Sequence, residues 1–128
     1  MYLATIQAVC YGTRHILETL IASGHKTISS ILICGGLTKN PLFVQTQADS
    51  ANLPVVYPEE KESVLLGAAI LGACAAKYFK DITSAIRSMA GNGTVIKPNK
   101  ETVEYHNKKY KVFLKMLQDQ LKYREMMS

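Results

Sequence analysis

Residues 31 to 41 read Ile-Leu-Ile-Cys-Gly-Gly-Leu-Thr-Lys-Asn-Pro, and few folds accommodate that order. Ile28 and then Ile31-Leu32-Ile33-Cys34 form a short β-branched and apolar run bounded by glycines. This is the pattern of a strand buried on both faces, in a parallel or mixed sheet covered by helices. Gly35-Gly36 stops the strand, and Leu37-Thr38-Lys39 makes a short loop. Asn40-Pro41 then opens a helix, because Asn is a preferred cap and Pro is preferred in the first turn. That helix is expected to run through Phe43, Gln45, Ala48 and Asp49 to about Asn52.

The flanking segments extend an α/β reading. Leu3, Ile6, Cys10, Thr13, Leu17 and Leu20 recur every three or four positions, with Arg14, His15 and Glu18 mostly on the other side. The spacing predicts an amphipathic helix from about Tyr2 to Ser23, ended by Gly24. Leu53 to Pro58 is a short extended segment whose two prolines suggest a sheet edge. The acidic stretch Glu59 to Ser63 precedes an almost wholly small or aliphatic run, Val64 to Ala76. It predicts a helix buried nearly all round, with Gly67 and Gly72 allowing another backbone to approach. Ile82 to Met89 suggests a further short helix, Gly91-Asn92-Gly93 a turn, and Thr94-Val95-Ile96 a brief extended piece. A last helix is expected from about Glu101 to Tyr123.

The length of 128 residues fits one ordinary domain. Its core is expected over residues 1–96, with 97–128 a basic helical extension of the same domain. Composition limits what the chain does. The net charge of +5 is uneven: residues 1–96 carry seven basic and six acidic side chains, residues 97–128 eight and four. Tyr110, Leu114, Leu117 and Leu121 follow one helix face in that tail, so a helix with a basic solvated side is preferred to a nucleic-acid arm. The apolar run from Val64 is too short for a membrane span, and no secretory signal is visible. A cytoplasmic protein with reduced thiols is the expectation. Cys10, Cys34 and Cys74 sit in apolar stretches without ligand spacing and read as buried hydrophobes; no zinc site is expected.

The one constellation with chemical character is the turn from Cys34 to Asn40. Two glycines let the backbone pass close to a ligand, and the first N–H groups of the next helix are expected to point outward, which suits an anion such as phosphate. Neither G-x-x-x-x-G-K-[ST] nor G-x-G-x-x-G occurs, which disfavours a P-loop ATPase and a dinucleotide fold of the common type.

The block Cys34 to Asp49, followed by Leu53-Pro54-Val55 and by Glu62-Ser63-Val64-Leu65-Leu66-Gly67-Ala68-Ala69, closely resembles the C-terminal domain of FGGY-family carbohydrate kinases. Gly12-Thr13-Arg14 and the Gly-Leu-x-Lys-Asn loop are similar to the ribulokinase branch. The resemblance covers about Tyr2 to Tyr123. It implies an incomplete α/β domain of the actin-like ATPase, ribonuclease-H-like type, a mixed sheet packed with helices that binds ATP in a cleft shared with another domain. By position, Gly35 and Gly36 match the adenosine-motif glycines and Asn40 the residue that contacts the nucleotide. Gln45 and Asp49 match motif positions in the next helix, and Gly67 and Ala68 the helix behind the site.

The same resemblance implies transfer of the ATP γ-phosphate to a ketopentose such as ribulose, with Mg2+ bridging the phosphates. The family's N-terminal kinase domain supplies a D-x-G-T phosphate loop, most sugar contacts and an aspartate base, and none of these is present. No catalytic residue is therefore expected here, since phosphoryl transfer needs several groups at once. The alternative is a non-catalytic isoform or fragment that binds a protein partner; self-association is left open.

Overall fold

A computed structural model describes residues 1–60 and 62–128. The chain runs through helix α1 (Tyr2–Ala22), strand β1 (Ile31–Leu32), a 3-10 turn (Gly36–Lys39), α2 (Pro41–Ala51) and β2 (Val55–Pro58). It continues through α3 (Ser63–Ala75), α4 (Ile82–Met89), β3 (Gly93–Ile96), a second 3-10 turn (Lys100–Thr102) and α5 (Val103–Met127). The expected α/β order is present. Lys61, in the acidic segment expected to lead into α3, lies outside the described residues.

The sheet is three-stranded and mixed, in the order β1-β2-β3. β1 pairs parallel with β2, Ile31 opposite Val55, and β2 pairs antiparallel with β3, Val55 opposite Ile96. This corrects the expectation that Leu53–Pro58 lies at a sheet edge: it contains the central strand. Pro54 precedes the strand and Pro58 is its last residue, so neither removes a donor from its interior. β1 is also shorter than its apolar run and open on one face, Ile31 being buried and Leu32 79% exposed.

Ile6, Cys10, Ile31, Phe43, Val44, Ala48 and Val55 form one buried cluster between α1, α2 and the sheet. Asn52, at φ +53, ends α2 in a left-handed cap. The buried set of α1 includes Gln7 and Tyr11 beside Ile6 and Cys10, because the helix has two packing faces. The second meets α5. There the Tyr11 ring packs 5.9 Å from that of Tyr110 and 5.8 Å from that of Phe113, and its hydroxyl is 2.9 Å from Nδ1 of His106.

Arg14 therefore sits in that seam and not on a solvated side. Its guanidinium donates to the Ser50 carbonyl, to Asn107 Oδ1 and to Glu18, and lies 4.3 Å from the centroid of the Tyr110 ring. Tyr110 in turn donates to Glu18 Oε2 at 2.9 Å. Beyond Leu114 the expected apolar face of α5 is uncovered, with Leu117 and Leu121 exposed.

Helix α3 departs furthest from expectation. Only Ile70 is buried, and Val64, Leu65 and Leu71 are 82%, 66% and 59% exposed. The helix packs mainly against α4, and nothing lies within 4 Å of the Cβ position at Gly67 or Gly72. Its two glycines thus have no close neighbour at the Cβ position among the described residues. The thiols differ as well: Cys10 is buried, Cys74 half-buried and Cys34 exposed, because Cys34 falls past the end of β1.

Candidate nucleotide turn

The carboxyl end of β1 leads directly into the turn predicted from the sequence. Gly35 has φ +93° and ψ −171°, a backbone state that is strained for any residue with a side chain. Gly36 starts the 3-10 turn, which is closed by two bonds to the Gly35 carbonyl, from the Thr38 N–H at 3.1 Å and the Thr38 hydroxyl at 2.7 Å. Both glycines are exposed, and a Cβ at either would meet nothing within 4 Å. The missing side chains thus leave open space through which a ligand can reach the backbone.

Asn40 is the cap of α2. Its Oδ1 accepts from Leu42 N–H at 3.1 Å and Phe43 N–H at 3.4 Å, while Nδ2 donates to the Tyr2 hydroxyl at 2.7 Å. Pro41 has no N–H, and Val44 N–H donates to the Asn40 carbonyl. The donors at this helix start are therefore occupied or missing. This corrects the expectation that they point outward to a phosphate.

Gln45 and Asp49 hold the helix to another part of the chain. Gln45 Nε2 donates to Asp49 Oδ1 at 2.8 Å and to the Lys97 carbonyl at 3.1 Å, and Asn99 N–H donates to Asp49 Oδ1 at 2.7 Å. These bonds connect α2 to the segment that leaves β3. Lys39 is exposed at the end of the 3-10 turn, and Gly67 and Ala68 lie on the uncovered α3. The structure brings Gly35, Gly36 and Asn40 together in one turn. It adds Tyr2, which no sequence pattern had linked to Asn40 across 38 positions.

Away from the turn, a groove of about 210 Å³ lies between α1 and α5, lined by Gln7, Tyr11, Lys109, Phe113 and Met116 among others. Lys109 Nζ is held there by Gln7 Oε1 at 2.6 Å and the Tyr105 hydroxyl at 3.1 Å. The Lys109 bond, and after it the one that Gln7 Nε2 donates to the Tyr105 hydroxyl at 3.4 Å, lower the Tyr105 phenol below its ordinary range. Among the described residues no cluster of three or more His, Cys, Asp or Glu side chains could hold a metal. No described helix is long and apolar enough to cross a membrane.

Residues 1–76, which contain the whole of this turn and of α3, match the model of the FGGY family of carbohydrate kinases, C-terminal domain. The chain belongs to the FGGY family. It is 54% identical over 127 residues to the FGGY carbohydrate kinase domain-containing protein of Xenopus laevis, a match covering 99% of this chain and 23% of that protein. It is 34% identical over 116 residues to the ribulokinase of Mycolicibacterium smegmatis, covering 90% of this chain and 20% of that enzyme.

Among solved structures, the ligand-bound xylulose kinase of Lactobacillus acidophilus superposes with a TM-score of 0.82 at 22% identity, over 98% of this chain and 25% of that one. The fold is thus that of part of an actin-like FGGY kinase. The chain spans between a fifth and a quarter of the length of these two FGGY relatives.

Proposed function

We propose that this chain forms the adenosine side of the nucleotide site in an ATP-dependent FGGY kinase. The observation that carries this reading is the Gly35-Gly36 turn, which opens outward at the carboxyl end of β1 in the parallel β1–β2 pair. Ligands of α/β folds bind outside the carboxyl ends of such strands. Gly35 and Gly36 give the nucleoside access to the backbone. Asn40 Nδ2 keeps a second N–H beside the one given to Tyr2 and offers it to the base or ribose. Gln45 and Asp49 keep α2, and with it the turn, fixed against the segment after β3.

Bound ATP supplies the γ-phosphoryl group, and Mg2+ neutralises the charge on its phosphates. Since the donors at the start of α2 are spent on its own cap, the phosphates extend away from this turn toward groups outside this chain. Likeness to the ribulokinase supports a ketopentose such as ribulose as acceptor, its primary hydroxyl receiving the phosphoryl group. Binding and orientation are this chain's part, while the base and the sugar contacts lie elsewhere in the kinase.

Calorimetric titration with Mg2+-ATP tests the reading. The chain is expected to bind and Gly36→Val to abolish binding, because the added side chain fills the space now open at Gly36. Unchanged affinity in that variant would count against it. A second reading, a non-catalytic interaction module, is favoured by the exposed apolar side of α3 at Val64, Leu65 and Leu71. It would be selected if the chain bound no nucleotide yet associated with a protein through that side.

A further inference from the structure

The groove between α1 and α5 carries an inference that does not depend on the nucleotide reading. Ala4 and Ala8 lie one turn apart on α1, and their short side chains leave space against α5. Buried Tyr11 and half-buried Phe113 make the inner side aromatic, and Val112 and Met116 border it at 58% and 62% exposure. Its volume of about 210 Å³ is below the roughly 300–1,000 Å³ of pockets for drug-sized ligands, so it suits a small apolar group.

Lys109 is the first of the α5 residues that line the groove, and a buried amide holds it in place. Gln7, only 4% exposed, accepts from Lys109 Nζ through Oε1 at 2.6 Å and donates from Nε2 to the Tyr105 hydroxyl at 3.4 Å. Lys109 Nζ also donates to that hydroxyl at 3.1 Å. An ammonium has three N–H donors, so one is left over. The Tyr105 hydroxyl accepts from both Lys109 and Gln7, which leaves its own O–H to donate outward, and no acceptor for it occurs among the described residues. Lys109 is also absent from the ion pairs of the described residues, which join Arg14 to Glu18, Lys108 to Glu104, and Lys115 and Lys122 to Asp119. Two spare donors and an uncompensated positive charge thus adjoin an apolar groove.

We propose that this groove binds an aliphatic carboxylate of medium chain length. The carboxylate accepts from Lys109 Nζ and the Tyr105 O–H, and the tail lies along Tyr11, Phe113 and Met116. The charge-assisted bonds fix the head, and burial of the tail against the two rings supplies the rest of the affinity. Acetate would gain only the first contribution, and an amine with the same tail would meet like charge.

The test is titration of the 128-residue chain with sodium octanoate below its micelle concentration, followed by calorimetry and by the NMR signal of the Met116 methyl group. Octanoate is expected to bind one site and shift that signal, whereas acetate and octylamine are not. Lys109→Met should weaken binding about tenfold and Tyr105→Phe about threefold, by loss of a charged and of a neutral hydrogen bond. Ala8→Phe, at an exposed position, should abolish binding by filling the groove. No binding of octanoate overturns the proposal, as does equal binding of octylamine. Parent-like affinity in Lys109→Met or in Ala8→Phe also overturns it, the first removing the head contact and the second the space for the tail. Should Lys109→Met fail to melt cooperatively, parent-like affinity in Tyr105→Phe is the corresponding refutation. Octanoate affinity that falls as the chain is concentrated overturns it in favour of a second copy seated in the groove.

Discussion

The Asn40 amide joins two helices at once, its Nδ2 donating to the Tyr2 hydroxyl on α1 while its Oδ1 accepts the Leu42 and Phe43 N–H groups of α2. Asn40→Ala is expected to cost about 1 kcal/mol, the usual price of losing such a cap. Asn40→Asp keeps the acceptor and should recover most of that loss. Tyr2→Phe removes only an exposed bond and should cost about 0.5 kcal/mol. Urea unfolding of the three variants checks the ranking.

The two glycines separate stability from binding. Gly35→Ala forces a side chain into φ +93° and should cost about 1–3 kcal/mol. Gly36→Ala meets no atom and no positive φ, so its stability should stay within about 0.5 kcal/mol of the parent. Thermal unfolding gives the first comparison. If both glycines face the nucleoside, calorimetry with Mg2+-ATP should show weaker binding in both variants, including the one whose stability is unchanged.

The α1–α5 seam predicts a pH dependence. His106 is buried, and burial, with Lys109 and Arg14 adding to it and Asp49 opposing it, holds the imidazole below its ordinary value of 6.5. The unfolded chain therefore takes up the proton first as pH falls. The stability contributed by neutral His106 is complete above pH 6.5 and declines from there down through the lower folded value. The melting temperature of the parent should fall more steeply below pH 6.5 than that of His106→Gln, which cannot charge. Parallel curves would exclude His106 as the cause.

The thiols should react in order of access. Burial pushes the Cys10 thiol up to about 12, so it should resist iodoacetamide until the chain unfolds. Cys34 is exposed and adjoins Gly35, and it should be alkylated first. Under the nucleotide reading, Mg2+-ATP should slow labelling of Cys34 and leave Cys74 unaffected. Peptide mass analysis after timed labelling distinguishes the three sites.

What the sequence disclosed depended on whether the determining partner was near in the chain. The turn at Gly35-Gly36 and the cap at Asn40-Pro41 are specified by adjacent residues and were legible. The central place of β2 was not, since Pro54 and Pro58 signal an edge unless their positions relative to the ladder are known. The second face of α1 was hidden for a similar reason: Tyr11 and Arg14 find His106, Tyr110 and Asn107 more than 90 positions away. For α3, an apolar run implied burial, but burial also requires a covering surface, and among the described residues α4 is its main neighbour.

The pairing of β2 with β3 bears on where this protein can be cut. The family match ends at residue 76, whereas Val55, fully buried, is flanked by Ile31 on one side and Ile96 on the other. A piece trimmed to the matched region would strip one whole side from the middle strand, along with the Asn99 N–H that Asp49 holds. Such a piece should be insoluble or molten while the longer chain folds. For expression or for transplanting the nucleotide turn into another scaffold, the smallest workable cassette therefore extends at least through Asn99.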